Sequence, residues 1–119
     1  MINVKDQVGN ALEKACENVT DTYPKNWAEL PAVQFVEEDN SVVEWTGGQE
    51  QKAYLRYRVD IWDNKSTSET ALGVDREVSG LGLRRIACQD VDDPSGLKHK
   101  LMRYEGIIDV HTEMVYQNN

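Results

Sequence analysis

Two cysteines in 119 residues, Cys16 and Cys88, are too few and too widely separated to frame a disulfide-stapled fold or a metal site. Each sits in an apolar pattern, which predicts two buried free thiols in a reducing compartment. No apolar run is long enough to span a bilayer, and Met1–Asn18 lacks a signal-peptide pattern, so the reading predicts a soluble chain, made inside the cell, with no membrane partner. Basic residues are also scarce: 13 Lys and Arg stand against 21 Asp and Glu, a net charge of −8. Gripping a phosphate backbone needs clustered cations, so tight nucleic-acid binding is not expected, and the plainest consequence of the charge is solubility.

Catalytic signatures are missing as well. Phosphate loops, dinucleotide fingerprints, zinc-ligand spacings and H-E-x-x-H helices are absent from the sequence. His99 and His111 are the two histidines, and neither has a serine or cysteine nucleophile motif nearby. Asp109 and His111 lie two apart in a strand pattern and share a face, the one arrangement that could couple an imidazole to a carboxylate in a small enzyme or ligand-binding domain. Adjacent acids such as Glu37–Glu38 point to opposite faces of a strand and cannot share a proton-transfer task. Asp90, Asp92 and Asp93 lack the glycine and glutamate spacing of a calcium loop and read as a solvated turn. With no catalytic, cofactor or metal constellation, the expected class is a structural or interaction protein.

What is present is hydrophobic periodicity. No repeat or linker divides the chain, so residues 1–119 form one domain. Val4, Val8, Ala11, Leu12, Ala15, Cys16 and Val19 recur at three- and four-residue spacings, predicting an N-terminal amphipathic helix that Asp21, Pro24 and Asn26 end. Gly9 weakens that helix by about 1 kcal/mol relative to alanine. Tyr23 and Trp27, in a turn-rich connection, are expected to cover an end of the core. PAVQFVEED and SVVEWT read as a hairpin turning at Asp39–Asn40, and Gly47–Gly48 breaks the second strand.

The longest strand pattern runs from Lys52 to Trp62. Leu55, Tyr57, Val59 and Ile61 make its core face, and Tyr54, Arg56, Arg58, Asp60 and Trp62 its outward face. A second helix follows, opened by a Ser66–Glu69 capping box with Thr67 and Ser68 as alternative caps. Its buried stripe is Ala71, Val74, Val78 and Leu81, with Leu72 at the edge, and Gly80 or Gly82 stops it. Leu83–Val91 reads as a strand. The final segment alternates Met102, Tyr104, Ile108, Val110, Met114 and Tyr116 against Arg103, Glu105, Asp109, His111 and Glu113, as one long strand or two hinged at Gly106. The fold class is therefore α+β: a mixed, mainly antiparallel sheet of about five strands packed against two helices.

The order of these elements, the string YRVDIWDNKS running into a Ser/Thr-capped helix, the LGLRR that follows it, and the late RYEG strand ending in VY resemble the tail terminator (tail completion) proteins of long-tailed bacteriophages. The likeness covers nearly the whole chain. It implies a ring, usually a hexamer, on the end of the tail tube, in contact with the major tail tube protein and the head-completion or connector protein. Its location would be the tail–head junction of the virion, with assembly in the host cytoplasm. There it would stop tube polymerisation and help join tail to head, without catalytic residues or cofactors. A head-completion or connector protein of the same neck is the neighbouring alternative. Arg56, Arg58, Trp62, Arg103 and Glu105 are the residues expected at subunit contacts. Under this reading a carboxylate-lined lumen would let DNA slide through unheld.

Overall fold

A computed structural model describes residues 1–111 and the backbone of 115 and 116. The elements run α1 (Lys5–Glu13), β1 (Asn18–Thr20), β2 (Ala32–Thr46), β3 (Gln49–Asp63), α2 (Ser68–Ser79), β4 (Arg84–Val91), β5 (Lys98–Asp109) and β6 (Val115–Tyr116). Their sheet has the order β1-β2-β3-β5-β4, with β6 paired to β5 beyond the end of β4. Every pairing is antiparallel except the short parallel β1–β2 step, so the α+β class with a mixed, mainly antiparallel sheet holds.

β3 is the central strand because its alternation is the cleanest in the chain. Ala53, Leu55, Tyr57, Val59 and Ile61 are fully buried on one face, under Val8 and Leu12 of α1 and Val74 and Val78 of α2. The two helices share that face and leave the other without a helical layer. Burying a Val, Leu or Ile side chain is worth about 1.5–3 kcal/mol, so this single stripe is the main adhesive between layers.

Two buried tyrosines extend the core toward polar partners at its rim. Tyr57 Oη donates to Glu37 Oε1 at 2.9 Å, and Tyr104 Oη donates to Asp75 Oδ1 at 2.8 Å. Burial first, then the adjacent carboxylate, pushes both phenols well above the ordinary tyrosine range.

Several local expectations are corrected. The N-terminal helix stops at Glu13 rather than continuing through Val19, because Asn18, Val19 and Thr20 pair in parallel with Ala32, Val33 and Gln34. β-branched residues suit such a ladder better than a helix end. Gly9 is placed where Phe35 crosses the helix: a Cβ there would stand 3.1 Å from the ring. Asp39–Asn40 is not a turn. β2 runs straight through it with a register shift between Glu37 and Asp39, and the reversal occurs at Gly47 and Gly48. Their φ values of 63° and 76° are the left-handed pair that a two-residue hairpin turn requires.

The second helix starts at Ser68 behind Thr67, with no side-chain cap bond from Thr67. Instead of boxing with Glu69, Ser66 Oγ accepts the Ser68 amide at 3.2 Å. Gly82, at φ 93°, is the left-handed residue after the helix, whereas Gly80 keeps a helical conformation. Cys88 is exposed, not buried, because β4 is the sheet's edge and neither helix covers it. Cys16 is buried as expected and donates to the Pro31 carbonyl at 3.2 Å. The last alternating segment is one strand through Gly106 as far as Asp109. Glu113 and Met114 lie outside the described residues, and of Tyr116 only the backbone pairing is described. Among the described residues, no helix is long and apolar enough to cross a membrane.

Candidate functional site: the open face of the sheet

The face of the sheet opposite the helices is built from the alternate residues of β2, β3 and β5. Cross-strand pairing sets Arg56 beside Glu105, Arg58 beside Arg103, Asp60 beside Leu101 and Trp62 beside His99. Two arginines directly opposite each other, Arg58 and Arg103, would repel in an isolated ladder. Alternation along β2, with Gln34 opposite Asp60 and Val36 opposite Arg58, resolves this by setting Glu38 over the same face.

Glu38 Oε1 lies 3.0 Å from Arg103 Nε and 3.3 Å from Arg56 Nε, and its Oε2 lies 3.6 Å from Arg58 Nη1. One carboxylate is thus shared by three guanidiniums. Burial tends to raise the Glu38 carboxyl, but the Arg103 hydrogen bond and the charges of Arg103, Arg56 and Arg58 outweigh it and hold the carboxyl below its ordinary range. Around this centre, Arg58 Nε also donates to Asp60 Oδ2 at 2.8 Å. Glu105 accepts from Tyr54 Oη at 2.7 Å and from Arg84 Nη2 at 2.5 Å, two bonds that keep its carboxyl low. The side chains of Arg56, Arg58 and Arg103 each remain about a third exposed.

One end of this face is closed by aromatic rings. The connection after β1 carries Tyr23 and Trp27 onto Trp62, with the three ring centroids 5.4–5.8 Å apart in tilted and edge-to-face contacts. His99 stacks on Trp62 at 4.5 Å, and its Nε2 lies 2.8 Å from Asp60 Oδ1. Trp62 Nε1 donates to Asp93 Oδ1 at 3.1 Å, and Asp93 also caps the turn at Ser95. Those two bonds, Ser95 first, hold the Asp93 carboxyl low.

Of the five residues expected at a shared surface, Arg56, Arg58, Arg103 and Glu105 therefore come together on one exposed face. Trp62 lies on the same face but is not available there: it is 3% exposed, covered by Tyr23, Trp27 and His99 of its own chain. Tyr23 and Trp27 cover this tryptophan on the open face rather than the helix-side core. Glu38, the centre of the network, was missed because alternation marks its face but not that β2 and β5 both flank β3 and so bring three arginines within its reach. His111 is exposed; its Nε2 meets Gln51 Oε1 at 2.8 Å, while the Asp109 carboxylate accepts the His111 backbone amide. Among the described residues, no group of three or more His, Cys, Asp or Glu is placed to hold a metal ion.

Fold and face together define a small α+β protein with one helix-covered sheet surface and one open surface of interlocked charge. No family model matches the chain, and no curated protein matches it.

Proposed function

We propose that this protein is a structural component of a long-tailed bacteriophage virion. It forms a ring, a hexamer, on the end of the tail tube, ends tube polymerisation and joins the tail to the head connector. The observation that carries the reading is the open face. A chain of net charge −8 gathers Arg56, Arg58, Arg84 and Arg103 on one surface without a helical layer, and holds them in fixed positions with Glu38 and Glu105. Arginines pre-ordered on a sheet, with part of each side chain still presented to solvent, suit protein contacts. The element order and strings that resemble the tail terminators supply the particular assembly. The protein is structural rather than enzymatic on this reading, and the excess acid elsewhere keeps DNA from being held as it passes.

The test is deletion of the gene from its parent phage. Filled heads accompanied by unjoined tails of abnormal length are expected. Tails of normal length joined to heads would overturn the proposal. Native mass spectrometry of the purified protein, alone and with tube protein, measures the ring size.

A further inference from the structure

The sheet ends in two edges that no described strand covers for most of their length. β1 pairs only with Ala32, Val33 and Gln34 of β2, so the rest of that strand's outer edge is open among the described residues. β4 pairs with β5 alone. At the far end of β2 the exposure is strongest: every residue from Ser41 to Thr46 is exposed, including Val42, Val43 and Trp45, the last at 63%. β5 pairs with β3 as far as Lys52 and the Val110 amide bonds the Gln51 carbonyl at 3.0 Å, so among the described strands the tip of the β2–β3 hairpin, Trp45 to Glu50, projects beyond β5 in a molecule 52 Å long. The radius of gyration is 15.2 Å, against about 13.5 Å for a compact chain of this length. An isolated two-stranded hairpin is marginal in water, and long open edges invite pairing.

We propose that copies of this chain join head to tail, with the outer edge of Ser41–Thr46 in one copy adding antiparallel to the outer edge of Arg84–Gln89 in the next. Three features select this occupant. Three antiparallel steps separate β2 from β4, so the two strands run in opposite directions. A copy set beside the first in the same orientation therefore presents β2 antiparallel to β4. The charges agree with that direction: Glu44 is the one charged residue of Ser41–Thr46, Arg84 and Arg85 are the two of Arg84–Gln89, and antiparallel alignment sets Glu44 next to the arginine end. Faces agree too. Val42 pairs with Ala53 and Cys88 with Met102, both buried on the helix side, so Val42 opposite Cys88 keeps both side chains on one face.

The receiving edge is also apolar. Ile86 is 42% exposed, and Leu72 of α2, three residues before the Asp75 that binds Arg85 at 3.2 Å, is 72% exposed on the same side of the helix. A contact between two different edges repeats from copy to copy and forms a ring when the rotation between copies closes. The inference rests on the ring proposed above and names its contact.

Val42→Cys tests it, because native Cys88 is the exposed partner thiol and Cys16 is buried. Mild oxidation of the assembled variant should give a covalent ladder running past dimer, absent from the wild type and from Val42→Cys/Cys88→Ser. Rings seen by native mass spectrometry with no such ladder, or with dimers that persist without Cys88, would overturn the edge contact while leaving the ring standing. A strictly monomeric protein, with and without tube protein, would overturn both. Circular dichroism of each variant separates misfolding from loss of contact, and Val43→Cys supplies a neighbouring position that should link less.

Discussion

Arg103 Nε lies 3.0 Å from Glu38 Oε1 although β3 runs between their strands and 65 residues separate them in sequence. Glu38 stands on the open face by alternation from Val36, which pairs with Arg58, and it is the extra residue where β2 gains one on β3 between Glu37 and Asp39. Glu37, in register with Tyr57, faces the helix side. The adjacent acids thus serve opposite faces, as strand alternation requires.

Replacing Glu38 with glutamine should destabilise the fold by about 1–2 kcal/mol, since charge-assisted bonds to two guanidiniums and the ion pair with a third are lost but partial exposure lets water replace them in part. The midpoint of urea unfolding reads this directly. A shift too small to resolve would mean the arginines are held by the sheet alone.

Acid should weaken the protein through the same groups. Glu38, Glu105 and Asp93 are held below their ordinary values, so their contribution is fully present above the unfolded carboxylate values of 4.5 for glutamate and 3.8 for aspartate, and is lost as pH falls through the lower folded values. Thermal unfolding followed from pH 6 to about pH 2 should show falling stability below about pH 4.5. In Glu38→Gln the fall should be shallower.

Trp62→Ala should cost about 3–5 kcal/mol, the range for emptying a buried aromatic site. It should also abolish the near-ultraviolet circular dichroism that Trp27 gains by its edge-to-face contact. Arg56→Ala, on the same face but exposed, should leave that spectrum intact.

Tyr104→Phe removes only the hydroxyl that reaches Asp75, leaving Asp75 still paired with Arg85 at 3.2 Å. The expected loss is about 1 kcal/mol by chemical denaturation. Tyr104→Ala should lose several-fold more, because it also opens a cavity in a fully buried layer.

Gly47→Ala should cost about 1 kcal/mol, since a left-handed φ penalises any Cβ even where space is open, as it is here. Denaturation midpoints measure it.

The sequence by itself determined the alternating core of β3, the buried Ala71, Val74 and Val78 of α2, and the grouping of Arg56, Arg58, Arg103 and Glu105 on outward faces, while Leu81 falls past the end of α2. Those features follow from side-chain period, which is local and survives any register. Tertiary structure alone decided the rest. Val19 left the helix pattern because a parallel partner strand was within reach. Asp39–Asn40 stayed extended because β3 pairs with both halves of β2, and two glycines beyond could turn more cheaply. Cys88 became exposed because its strand fell at an edge. Trp62 was covered by Tyr23 and Trp27 from a distant connection, and Glu38 met three arginines because β2 and β5 flank the same strand. Register, edge position and loop path are settled by which strands meet, and no single stretch of residues carries that information.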